Sequence, residues 1–226
     1  MIQKLTNGLL SLFLKSNCPL CDRPTSVEFC EYCQRQLLGC QLKNPSEFWQ
    51  EPLPVFVWGT YSRVLKRAIA ALKYDNQPQL ARPLGHYLGK AWLESPTPHA
   101  KKLLVVPIPL HPTKLQKRGY NQAELIAESF CEITGYKQQQ QGLERVRETD
   151  AQFNLSAPQR EQNLADAFVV GKRLSQHPSA SPVLLVDDIY TTGTTVRSAA
   201  KTLRRQGIQV HGVVAIVTSK TSGNRG

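Results

Sequence analysis

The chain has 226 residues, is 41% hydrophobic and carries a formal net charge of +11. That length accommodates one α/β domain with a small appendage, and the hydrophobic content permits a sizeable core. No apolar run reaches the roughly 18 residues a membrane span requires, while the charge excess points to a polyanionic partner: nucleic acid, a membrane surface or a phosphorylated substrate.

The N-terminal stretch from Ile2 to Leu14 holds Leu9, Leu10, Leu12, Phe13 and Leu14. Its apolar run is short, no small-residue cleavage site follows, and a Cys pair comes at once, which argues against a signal peptide. A short amphipathic helix packed on the body of a cytoplasmic protein is expected instead. Next come two C-x-x-C pairs, Cys18–Cys21 and Cys30–Cys33. A C-x-x-C turn puts two thiolates on one side of a knuckle, and two such pairs complete a tetrahedral S₄ site. Zn²⁺ suits it best, with an iron or redox role left open, and a disulfide pairing is disfavoured in a cytoplasmic protein. A closed Cys₄ site has no open position for substrate, so its expected role is folding or docking. Cys40 reads as a spare thiol and Cys131 as a core residue of a helix.

The segment Asn44–Pro54 has three prolines and little periodicity, and reads as a linker. Val55–Trp58 predicts a strand. Val64, Leu65, Ala68, Ile69 and Leu72 predict an amphipathic helix, and a second helix is expected from about Gln79 to Trp92. Leu103–Pro109 predicts a strand leading into a basic loop, Leu110–Gly119, with His111, Lys114, Lys117 and Arg118. At the carboxyl end of a parallel strand such a loop suits a phosphate group. Ala123, Ile126, Phe130 and Ile133 mark a helix ending near Gly135, Gln138–Gln141 reads as a surface turn, and Glu144–Asp166 is a polar stretch.

The most informative run is Val183–Thr195. Its four apolar residues read as a buried parallel strand. Asp187 and Asp188 follow at the strand's carboxyl end, where open α/β sheets bind ligands. Thr191, Thr192, Gly193, Thr194 and Thr195 then lead directly into a helix, whose unpaired N–H groups face the turn. Acids suited to sugar hydroxyls therefore sit beside a loop suited to a phosphate, and a ribose 5-phosphate group fits both. Val196, Ala199, Ala200 and Leu203 give the helix its apolar stripe, Gly207 its stop, and Val210–Val217 a further strand. Arg197, Lys201, Arg204 and Arg205 share one helical face, read here as solvated rather than as a nucleic-acid stripe.

The Val183–Thr195 run resembles the phosphoribosyl-pyrophosphate (PRPP) signature of type I phosphoribosyltransferases. The resemblance implies that Asp187 and Asp188 bind the ribose hydroxyls and help place Mg²⁺, and that Thr191 to Thr195 wrap the 5′-phosphate. It assigns the pyrophosphate to the basic loop, with Lys114 and Arg118 as candidates, and a closing strand pair and loop to Glu144–Asp166. The implied reaction is displacement of pyrophosphate from C1 of PRPP by a nitrogen nucleophile through an oxocarbenium-like transition state; no residue identifies the acceptor. The phrase Val106-Pro107-Ile108-Pro109-Leu110, with Arg118-Gly119-Tyr120-Asn121-Gln122-Ala123, further resembles the ComF family of competence-associated proteins. Lys73-Tyr74 fits the same pattern, as does the segment from Arg147 through Asn163 to Phe168. This resemblance implies an α/β fold: a parallel-sheet, Rossmann-like phosphoribosyltransferase domain with a small N-terminal zinc ribbon. Residues 1–45 would be the helix and ribbon, 46–54 the linker, 55–220 the main domain and 221–226 a disordered tail. It also implies a role in DNA uptake, with single-stranded DNA and other uptake proteins as partners. Catalysis, DNA handling and PRPP sensing without turnover remain open alternatives at this point.

Overall fold

The structure, a computed structural model, describes residues 16–97, 100–148, 167–177 and 179–219. The expected N-terminal helix, the 221–226 tail and most of Glu144–Asp166 lie outside these residues.

The chain opens with a short antiparallel pair, β1 (Ser16–Asn17) and β2 (Pro24–Thr25), followed by α1 (Glu31–Leu38). Then come β3 (Val55–Thr60), α2 (Arg63–Tyr74), a 3₁₀ turn (Pro78–Leu80), α3 (Ala81–Glu94), β4 (Leu104–Pro107), α4 (Pro112–Arg118), α5 (Gln122–Thr134) and β5 (Lys137–Gln138). After β6 (Leu143–Arg145) and β7 (Phe168–Val170) follow α6 (Lys172–Gln176), β8 (Val183–Tyr190), α7 (Thr194–Arg205) and β9 (Val210–Thr218). Five strands form one parallel sheet in the order β3-β9-β8-β4-β5, and β6 pairs antiparallel with β7 beside it.

The central strands β8 and β9 are nearly continuous apolar runs because both faces of the sheet are covered, as parallel sheets require. On one face, Leu184, Val186, Val214 and Ile216 pack with α2, α3 and α5. On the other, Val183, Leu185, Val213 and Ala215 pack with α7 and the β6–β7 pair. Leu65, Ile69 and Leu72 of α2 are almost fully buried, each worth roughly 1.5–3 kcal/mol of transfer free energy. Helices α3 and α5 approach closely at Gly85 and Gly89: a Cβ on Gly85 would stand 2.6 Å from the Ile126 carbonyl oxygen. The N-terminal cysteine unit is joined to this body, since Leu20, Phe29, Cys33 and Leu37 share one apolar cluster with α2 and α3. The proline-rich 44–54 segment is packed rather than loose: the Trp49 ring meets Trp92 edge-on at 5.2 Å.

Three local expectations change. Strand β8 runs on through Asp187 and Asp188 to Tyr190, because β9 continues beside it and pairs Asp187 with Ala215 and Tyr190 with Thr218. The basic loop contains a helix, α4, which His111 caps, Pro112 opens and Gly119 closes in the left-handed region at φ 84. Gln138 lies not in a surface turn but in the edge strand β5, which pairs with β4; two polar residues carry no periodic signal.

Candidate functional site

Chain order reverses between β4 and β8. From β4 the chain passes through α4 to α5 on one face of the sheet, and from β8 it passes to α7 on the other. The carboxyl ends of these neighbouring strands therefore diverge and leave a crevice, the usual ligand position in an open α/β sheet. The Thr191–Gly193 turn that follows Asp187 and Asp188 at the end of β8, and the Ile108–Asn121 connection after β4, both leave the sheet at this end.

Asp188 is buried at 3% exposure. Its side chain points with Leu184 and Val186 to the face covered by α2 and α5, where it forms an ion pair with Lys73, in the last turn of α2. Its other oxygen accepts from Gln122 Nε2 at 3.4 Å. Gln122, in turn, accepts through Oε1 from the Arg118 guanidinium, and Arg118 lies over the Tyr74 ring at 5.7 Å. Burial works against the Lys73 ammonium, yet the Asp188 carboxylate overrides it and holds the pKa above the ordinary lysine value. Asp187 is pushed well above the carboxylate range, first by burial and then by the neighbouring Asp188 charge, with Lys73 opposing. Its Oδ1 accepts from the Asp188 backbone N–H at 2.8 Å.

Two anchors shape the basic side of the crevice. Asn121 caps α5 by accepting from the Ala123 N–H at 3.1 Å, and donates back to the Ile108 carbonyl at 3.1 Å. The Tyr120 hydroxyl donates to the Leu72 carbonyl at 2.6 Å, next to Lys73. The anchors fix the end of α4, so Arg118 is brought into the acid cluster through Gln122, while Lys114 sits one turn earlier on the same helix.

The Thr loop is built for close backbone approach. Gly193 is left-handed at φ 78, and a Cβ there would stand 2.7 Å from the Tyr190 ring and 2.8 Å from Arg197. Thr191 and Thr192 are exposed, and Thr194 and Thr195 open α7. The Thr192 and Thr194 hydroxyls are 2.8 Å apart. Arg197, one turn into α7, donates to the Thr192 carbonyl at 2.7 Å. A row of hydroxyls, first-turn N–H groups and one guanidinium thus faces the same turn.

Lys73, Gln122 and Arg197 are members of the site that sequence reasoning does not assign. Lys73 and Gln122 stand only within family-like phrases, and Arg197 reads as part of a solvated face. A positional signal exists for Gln122 and Arg197, which follow the predicted basic and Thr loops by a few residues; Lys73 has none, because it reaches Asp188 only through the packing of α2 on the sheet.

In the N-terminal unit, Cys18, Cys21, Cys30 and Cys33 place their four Sγ atoms within 4.8 Å of one another. Thiolates at about 2.3 Å from a tetrahedral Zn²⁺ stand about 3.8 Å apart, so the cluster fits that ion with little adjustment; Cys21 and Cys30 are already at 3.5 Å. The first pair forms a knuckle in which the Cys21 and Asp22 N–H groups donate to the Cys18 carbonyl. The second pair sits at the start of α1, with Cys30 as its N-cap. A hydrogen bond from the Cys33 backbone draws the Cys30 thiol down to about 7, whereas burial pushes Cys33 up. Cys40 lies apart, its sulfur 2.8 Å from the Ser62 hydroxyl, and Cys131 is half-buried, pushed up to about 12 by burial.

Among the described residues no helix is long and apolar enough to cross a membrane, and no protein-family model matches the chain. Individual proteins do. Over 212 residues the chain is 30% identical to competence protein F of Haemophilus influenzae, covering 89% of this chain and 90% of that one. It is 30% identical over 194 residues to DNA utilization protein YhgH of Salmonella typhimurium, covering 85% and 79% respectively. It is 26% identical over 191 residues to competence protein ComFC of Bacillus subtilis, covering 84% and 72%. Similarity of this extent, in a chain with four clustered cysteines ahead of a parallel α/β body, shows that the protein belongs to the ComF family.

Proposed function

We propose that this protein binds PRPP in the β4–β8 crevice and acts in the cytoplasm in DNA uptake, handling single-stranded DNA. The observation that carries the PRPP reading is the meeting of an acid pair, a hydroxyl-rich phosphate loop and a tethered arginine at one edge of the sheet. Asp187 and Asp188 hold the ribose hydroxyls; Thr191 to Thr195, with Gly193, receive the 5′-phosphate; Arg118 and Lys114 face the pyrophosphate. Mg²⁺ accompanies PRPP, held mostly by the ligand's own oxygens as is usual for this ion. Lys73 sets the charge of the site: it cancels one of the two carboxylates, so a highly anionic ligand meets less repulsion. Residues 1–45 form the appendage, in which Cys18, Cys21, Cys30 and Cys33 hold a structural Zn²⁺; 46–54 connect it to the ligand-binding domain, 55–220. The DNA reading rests on the net charge of +11 and on relatives named for competence and DNA utilization.

Turnover is a second reading, favoured by one observation: Gln122 links Arg118 to Asp188, so the candidate ligands for pyrophosphate and ribose belong to one hydrogen-bonded network. Such a network holds both sides of the bond to be broken in fixed relation. Calorimetric titration of PRPP with Mg²⁺ tests binding, and pyrophosphate release across a panel of nitrogen bases tests turnover. Binding without release leaves a PRPP sensor; no binding removes both readings of the crevice.

A further inference from the structure

The exposed face of α7 carries Arg197, Lys201, Arg204 and Arg205, and the helix contains no acidic residue. These four cations rim a groove of about 440 Å³ between α7 and the preceding 52–53 segment. The floor is apolar, formed by Pro52, Leu53 and Ala200. Arg204 holds the far wall in place by donating to the Pro52 carbonyl at 3.0 Å. A second hollow of about 450 Å³, lined by Glu51 as well as by Gln209 and His211, adjoins it at Arg204 and reaches the amino end of β9. The face therefore forms a track, not an isolated cluster of charges.

We infer that this track is the surface that takes single-stranded DNA, an inference that rests on the DNA-handling reading above. Lys201 and Arg205 stand four residues apart, about 6 Å along the helix axis at 1.5 Å per residue, and Arg197 lies one further step up, held at the phosphate loop. That repeat is close to the step between successive phosphates of an extended single strand. A cationic rim over an apolar floor matches a chain whose phosphates lie on one side and whose bases and sugars lie on the other. A duplex hides its base faces in the stack and cannot use the floor. The track also has a direction: Arg197 touches the Thr192 carbonyl, so its upper end abuts the phosphate loop while its lower end reaches the amino end of β9.

The test compares two triple variants of the full chain by fluorescence anisotropy with a labelled oligothymidylate, across a range of salt concentrations. The first is Lys201→Gln, Arg204→Gln and Arg205→Gln, which leaves Arg197 and the crevice untouched. The second removes the same charge from the opposite face of the sheet, at the exposed Arg67, Arg82 and Lys90, each changed to Gln. The track variant should bind at least tenfold more weakly near physiological salt. Its plot of log affinity against log salt should flatten by about 2, roughly 0.7 for each phosphate that is no longer neutralised. The opposite-face variant should stay within about twofold of the parent. If the track variant melts early, the double variant Lys201→Gln, Arg205→Gln replaces it, with an expected flattening of about 1.4. Equal weakening of the two triples overturns the inference and leaves the DNA reading standing, as does equal affinity of the parent for duplex and single strand. Absence of any salt-dependent binding by the parent overturns both.

Discussion

The Lys73 ammonium, at the end of α2, pairs with the Asp188 carboxylate of β8. The pair joins a helix that covers one face of the sheet to the strand that carries the Asp187–Asp188 acid pair, with side chains only 16% and 4% exposed. A buried pair contributes little net stability, but breaking it strands a buried charge. Lys73→Met should therefore destabilise the protein by about 3 kcal/mol in urea denaturation. Lys73→Met combined with Asp188→Asn should recover most of that loss, because the stranded charge is gone. Additive losses would mean that the two groups do not act as a pair.

Asp187 makes the opposite demand. Its folded-state pKa is raised, by burial and by Asp188, so the native protein binds its proton more tightly than the unfolded chain does. Stability from this group is thus lost as pH rises from the ordinary carboxylate value through the raised one. Asp187→Asn should leave stability unchanged at strongly acid pH and raise it increasingly toward neutrality, while weakening PRPP binding. An acid held against the stability of the fold is the kind of trade that the proposed binding role would explain. Thermal melts of both proteins across this range measure the difference; a constant offset at all pH values would contradict it.

Gly193 should tolerate no side chain. Its φ of 78 costs an L-residue roughly 1–2 kcal/mol, and the Cβ would also press on Tyr190 and Arg197. Gly193→Ala should lower stability by about 2 kcal/mol and PRPP affinity at least tenfold, read by denaturation and calorimetry. Full affinity in this variant would remove the loop from the site.

The cysteine cluster should bind one Zn²⁺ per chain. Because Leu20, Phe29 and Leu37 share the core of α2 and α3, release of the metal loosens more than the appendage, and bound zinc contributes directly to folding. Cys18→Ser should lose zinc by elemental analysis and melt well below the parent, whereas Cys131→Ser should keep its zinc. A zinc-free chain of undiminished stability would refute a structural metal.

What the sequence reveals and what it hides follow from how far each signal reaches. The strands and long helices are legible because their apolar patterns are local: α2 and α5 lie where Val64–Leu72 and Ala123–Ile133 place them. The acid pair and Thr loop are legible because they are contiguous. The Lys73–Asp188 pair is not, since its partners meet only when α2 packs on the sheet. Gln122 is hidden for the same reason: its role as a bridge depends on Arg118 from α4 and Asp188 from β8 converging on it. The short α4 is obscured by its charges, although His111, Pro112 and Gly119 spell its start and stop. Arg197, Lys201, Arg204 and Arg205 visibly share a face, but the groove beside them is made by Pro52 and Leu53, from a segment that reads as linker.

The most direct test of the central claim is a calorimetric titration of PRPP with Mg²⁺ into the parent protein and into Asp187→Asn, Asp188→Asn, with folding of the variant verified by its thermal melt. A PRPP-binding crevice predicts saturable binding by the parent, weakened at least tenfold in the folded variant. Equal affinity in both proteins, or binding by neither, would contradict it.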